Sequence, residues 1–181
     1  MANKRNILAQ GDRDGACFLY SIANAVTLLT NKPISQAKWN NFTKNIPVRI
    51  DDFMNGNGTG RFDDNHAIFE TIAKKLIETL DVQATVSSTN NLISAKTLRN
   101  EITDNSVIVT AISNGKHWVA VSDVINNTIY MACSAEALEN LNNYQENTTK
   151  NLGRLYNAEN TFPNLNIYKN YGLKIELLRT A

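Results

Sequence analysis

The stretch from Gln10 to Thr30 constrains the fold more than any other. A polar loop containing Gly11 and Gly15 ends at Cys17, and an almost unbroken apolar segment follows. Phe18, Leu19, Ile22, Ala23, Ala25, Val26, Leu28 and Leu29 cover most of a helix circumference, with Ser21, Asn24 and Thr27 as polar interruptions. A helix that is apolar on nearly every side must be enclosed by the rest of the chain. The helix predicted over 17–30 is therefore a central support, with a thiol at its start. Unpaired N–H groups and the helix dipole put partial positive charge there, which favours thiolate over thiol.

The remaining composition narrows the setting. With 181 residues, 43% hydrophobic and 19% charged, the chain is long enough for one domain with a substantial core, and a single domain over 1–181 is expected. A formal net charge of +1 gives no electrostatic reason to expect nucleic acid or an anionic membrane as partner. No stretch approaches the roughly 18 apolar residues of a membrane span, and the start, Met1 to Ala9, lacks the apolar run of a signal peptide. The two cysteines, Cys17 and Cys133, make a disulfide framework unexpected, so a reduced, cytoplasmic setting is the expectation. Two histidines and two cysteines at no short ligand spacing leave no expected metal site, and no motif calls for a cofactor.

Further along, Ser35 can cap a short helix to about Lys44, and residues 47–64 read as a long loop in which Gly56, Gly58 and Gly60 alternate with polar residues. That loop could act as a flap. Asp63 or Asp64 can cap an amphipathic helix carrying Ile68, Phe69, Ile72, Ala73, Leu76, Ile77 and Leu80, with His66 in its first turn. A short strand is predicted over 82–87 and a helix over 94–102. Val107 to Ile112 is rich in β-branched residues, Asn114-Gly115 supplies hairpin turn chemistry, and Trp118 to Val121 resumes an extended pattern. His117 thus opens the second strand of a hairpin. A third strand is predicted over 128–132, helices near 135–144 and 148–156, and a closing strand over 173–178. Helices preceding a run of hairpin strands predict an α+β fold, an N-terminal helical half packed on an antiparallel sheet.

A cysteine at a helix start and a histidine at a strand start are the two parts a thiol nucleophile needs. The imidazole accepts the thiol proton and later protonates the leaving group. Separation in sequence is no obstacle, because these roles are defined in space.

Gln10, then Gly15-Ala16-Cys17 at the head of an apolar helix, then a hairpin with Gly115-Lys116-His117-Trp118-Val119-Ala120-Val121, resembles the papain-like cysteine peptidase superfamily. The second half is most similar to its bacterial C39-like branch, while Asp12-Arg13-Asp14-Gly15-Ala16-Cys17 also resembles the Asp-Gly-x-Cys loop of OTU deubiquitinases. The resemblance covers roughly residues 5–30 and 95–134. It implies a papain-like fold, Cys17 as nucleophile, His117 as general base, and Gln10 donating its side-chain amide to the oxyanion beside the Cys17 N–H. It implies a polypeptide substrate or protein partner and no cofactor. The superfamily's third member is an Asn or Asp about sixteen residues after the histidine. That position here falls at Cys133-Ser134, neither a carboxylate nor an amide, and Asp123, on the strand His117 opens, is the substitute expected to orient the imidazole.

Blander accounts compete for each residue. His66 reads as structural or exposed, Cys133 as a packed core thiol, and Asp12 and Asp14 as turn-making residues, although they could also recognise a basic substrate. Trp118 is either a lid over the histidine or plain core. The function expected is a thiol hydrolase, first of all a peptidase acting on amide or isopeptide bonds. An acyl transferase or deamidase of the same chemistry, a toxin or phage-type effector that modifies a host protein, and a catalytically inactive papain-like domain that binds a peptide or protein partner remain open.

Overall fold

The structure is a computed structural model that describes residues 5–10, 15–54, 58–62, 65–139 and 144–178. Helix α1 (Cys17–Thr30) is followed by α2 (Gln36–Asn45), α3 (Asp51–Met54) and α4 (His66–Thr79), then β1 (Ala84–Thr89), α5 (Ala95–Asn100), β2 (Ser106–Ile112), β3 (His117–Ile125) and β4 (Thr128–Ala132). The chain continues through α6 (Ser134–Glu139), β5 (Asn147–Thr148), β6 (Leu155–Tyr156), β7 (Ala158–Thr161), α7 (Phe162–Leu165) and β8 (Gly172–Leu177). Short 3-10 turns lie at Gly58–Phe62 and Tyr168–Asn170. The main sheet is antiparallel in the order β1-β8-β2-β3-β4-β7, and β5 pairs with β6 apart from it. This is the expected α+β architecture.

Alternation along the strands splits the core between two faces of the sheet. Val107, Val109, Ala111, Trp118, Ala120, Ala132, Leu173 and Ile175 point toward α1 and α4. Ile108, Val119, Val121, Val124, Ile129, Met131 and Cys133 pack with Leu98 of α5 and Leu165 of α7 on the other side. Helix α1 is buried from Phe18 to Leu28 except for Tyr20, as its all-round apolar pattern requires. It ends at Asn31, whose φ of 52° is a left-handed cap and whose N–H bonds Thr27 O.

Three predicted elements differ. The 148–156 segment is not a helix but two short strands around a turn, because its polar groups bond across it and into the core: Thr149 N–H donates to Arg154 O, and the Arg154 guanidinium donates to the carbonyls of Ser106, Thr103 and Asp104. The 47–64 loop contains α3 and a 3-10 turn, while Asn55, Gly56, Asn57, Asp63 and Asp64 lie outside the described residues, as do Asp12 and Asp14. The cap of α4 is Asn65, whose side chain accepts from Ile68 N–H. Among the described residues no helix is long and apolar enough to cross a membrane.

The junction between α1 and the sheet is aromatic. Phe18, fully buried, meets Trp118 edge-on at 4.7 Å between centroids and Phe69 at 5.3 Å, while Trp118 also contacts Phe69 at 5.5 Å. Such pairs add to the area they bury. Phe18→Ala should cost about 3–5 kcal/mol of folding stability, read as a lowered urea midpoint with little change in slope.

Candidate active site

Cys17 is the first residue of α1, and it is half-buried. The cap before it is Ala16, whose side chain offers no oxygen to the first-turn N–H groups, and that turn carries no acidic residue. Both features leave the positive end of the helix without an internal counter-charge. The approach to Cys17 is held from outside: Gly15 N–H donates to Phe53 O at 2.6 Å, and Gly58 packs so closely that a Cβ there would lie 2.8 Å from Gly15 O. Gly58 also has φ +51°, so a side chain would be resisted twice. Next to Gly58, Thr59 Oγ1 accepts a 2.9 Å hydrogen bond from Trp118 Nε1. The segment considered as a flap is thus stitched to both the cysteine loop and the histidine strand.

His117 opens β3 after a turn in which Ser113, Asn114 and Gly115 all have positive φ, the conformation an Asn-Gly hairpin signal calls for. Its neighbour Trp118 contacts Phe18, the neighbour of Cys17, so the packing joins the start of α1 to the start of β3. Trp118 is 4% exposed and belongs to the core; the lid role does not apply. Burial depresses the His117 pKa below its ordinary value.

The ring's partner is Cys133: His117 Nε2 and Cys133 Sγ are 3.2 Å apart. Cys133 follows β4 and is firmly placed, because the Asn157 side chain accepts from Cys133 N–H and donates to Cys133 O, both at 2.8 Å. The next residue reaches Gln10. Ser134 Oγ donates to Gln10 Oε1 at 2.8 Å, and Gln10 N–H donates to Ser134 O. With Oε1 accepting, the Gln10 Nε2 is the end that can donate. A second asparagine clamp holds Gln10's own segment: Asn24 of α1 accepts from Leu8 N–H and donates to Leu8 O. Gln10, Ser134, Cys133 and His117 therefore form one connected chain.

Asp123 is not part of it. Six residues along β3 span roughly 20 Å at about 3.3 Å per residue, and a bulge between Val121 and Asp123 breaks the alternation that placed Asp123 on the histidine's side. Val119, Val121 and Val124 all face the α5 side, so the bulge turns Asp123 the other way. Its Oδ1 accepts from Val124 N–H, and its charge offsets the burial of the Arg154 guanidinium. Asp123 is a structural counter-charge. His66 is also structural in setting, stacked on Tyr171 at 3.6 Å between centroids. Among the described residues no group of three or more His, Cys, Asp or Glu side chains could hold a metal ion.

One groove borders the start of α1 and another borders Trp118 of β3. The first, of about 540 Å³, is mostly apolar and lined by Ala16, Leu19, Tyr20, Trp39 and Ile50. The other, of about 270 Å³, is lined by Thr59, Gly60, His66, Trp118, Tyr168 and Tyr171. Sequence reasoning singled out the cysteine, the histidine and Gln10, and the structure joins Gln10 to His117 through Ser134 and Cys133. That reasoning missed Asn157 and the contact of Cys133 with the ring; the sixteen-residue spacing from His117 was the available signal for the latter.

No family model matches the chain, and no curated protein matches it in sequence. The fold is similar to that of the crystal structure of the peptidase domain of Streptococcus ComA, a bi-functional ABC transporter involved in a quorum sensing pathway. That likeness has a TM-score of 0.53 and 14% identity, covering 97% of this chain and 100% of that one. The chain has the mixed helix and antiparallel-sheet fold of a C39-type, papain-like cysteine peptidase domain.

Proposed function

We propose that this protein is a cysteine peptidase that cleaves amide or isopeptide bonds in a polypeptide, with Cys17 as nucleophile and His117 as general base. The observation that carries the reading is the Phe18–Trp118 contact, which ties the helix turn bearing the thiol to the strand end bearing the imidazole. In this mechanism His117 takes the thiol proton as Cys17 Sγ attacks the carbonyl carbon. The negative oxygen that forms is held by Cys17 N–H and Gln10 Nε2, preorganised by the Ser134 hydrogen bond. The imidazolium then protonates the departing amine, leaving a thioester on Cys17. Water, deprotonated by His117, hydrolyses that thioester and frees the thiol. The apolar groove beside Ala16 suits an apolar side chain of the substrate.

A second reading, a binding domain without catalysis, is favoured by one observation: the residue facing His117 Nε2 is a thiol. Labelling separates the two. At pH 7 iodoacetamide should alkylate Cys17 at least tenfold faster than Cys133, as read by mass spectrometry, and His117→Ala should slow Cys17 at least tenfold. Equal, slow labelling of both thiols in the unmodified protein would establish the binding-only reading.

Burial of the base has a cost in acid. Because the folded pKa of His117 lies below its ordinary 6.5, the unfolded chain binds the proton more readily. The stability contribution is complete above pH 6.5 and is lost as the pH falls through the folded value. The melting temperature should therefore drop from pH 7 to pH 5, and His117→Gln should drop less over the same range.

A further inference from the structure

The thiol beside the imidazole is chemically unlike the groups usually asked to orient a histidine. Resting on the Cys17–His117 reading, we infer that Cys133 positions the His117 ring and, being both donor and acceptor, holds it in two tautomers, so that only part of the population is competent as a base.

The geometry supplies the first half. Cys133 Sγ lies 3.2 Å from Nε2, and the sulfur has little freedom to leave, since Cys133 is 6% exposed and its backbone is clamped on both sides by Asn157. With Nε2 so engaged, Nδ1 is the ring nitrogen left to serve Cys17 in the proposed reading. Chemistry supplies the second half. A carboxylate at Nε2 can only accept, which forces the proton onto Nε2 and leaves Nδ1 with a bare lone pair ready for the Cys17 proton. A thiol has no such preference. When sulfur accepts from Nε2–H, Nδ1 is a base; when S–H donates to Nε2, the ring proton sits on Nδ1 and cannot take another from Cys17. Both arrangements are weak hydrogen bonds, so the thiol does not enforce one tautomer as a carboxylate would. Burial disfavours the charged ring, which leaves the two neutral tautomers to be compared. The reactivity of Cys17 is then scaled by the competent fraction.

The chain has only two histidines, which makes the state of the ring measurable. Nitrogen-15 spectra of ring-labelled protein at pH 7.5, with His66→Gln to identify the signals, should give the two His117 nitrogens intermediate shifts. Cys133→Asp should move them to the pattern of a single Nε2–H tautomer and raise the rate of Cys17 alkylation at least threefold. Cys133→Asn, whose amide oxygen can accept from Nε2–H and whose side chain carries no charge, should shift both readouts the same way, and Cys133→Ala should slow alkylation below that of the unmodified protein. A His117 already wholly in the Nε2–H form would overturn the inference without any variant. So would Asp and Asn variants that alkylate at the unmodified rate while His117→Ala slows the reaction. If His117→Ala leaves Cys17 alkylation unchanged, the Cys17–His117 pair falls, and this inference with it.

Discussion

The edge-on contact between Phe18 and Trp118 is the constraint on which the rest of the site depends. Each ring belongs to the residue next to one of the proposed catalytic pair, so the packing that encloses α1 also joins the helix start to the strand start. One of the helix's polar interruptions also ties it to the preceding segment, since Asn24 clamps both the N–H and the C=O of Leu8. Core formation and site assembly are thus one event. The same aromatic cluster extends through Phe69 and Tyr171 to His66, which links α4 to the sheet behind the site.

Two asparagine clamps do the finer positioning. In each, one side-chain amide satisfies both the N–H and the C=O of a residue in an irregular segment, a substitute for strand pairing where no strand is available. Asn24 fixes the segment that presents Gln10, and Asn157 fixes Cys133 behind the imidazole. Ser134 then joins the two held segments. The result is a continuous polar line from a candidate oxyanion donor to the ring of the candidate base, held by groups distant in sequence.

How much of this was readable beforehand follows from how local each cause is. Helix α1 and the hairpin around Asn114-Gly115 were legible because an all-round apolar helix and a positive-φ turn are written in adjacent residues. The expectation of a papain-like fold followed from placing a cysteine on one and a histidine on the other. The strands around Asn147 to Tyr156 were not legible, since what shapes them is the guanidinium of Arg154 reaching carbonyls at Thr103, Asp104 and Ser106. Asp123 was misread for a related reason: two-residue alternation holds only until a bulge interrupts it, and nothing in Val121-Ser122-Asp123 announces one. Asn157 was invisible as one asparagine among many.

The central claim is that Cys17 and His117 titrate as a pair, and the pH profile of Cys17 alkylation tests it most directly. Coupled groups share macroscopic ionisations, so the reactive state should form with the first proton lost from the pair. The account predicts a rise in rate with a midpoint below pH 6.5 in the unmodified protein, displaced in His117→Gln toward the roughly 8.5 of an isolated thiol. A single rise near that thiol value in both proteins would contradict it.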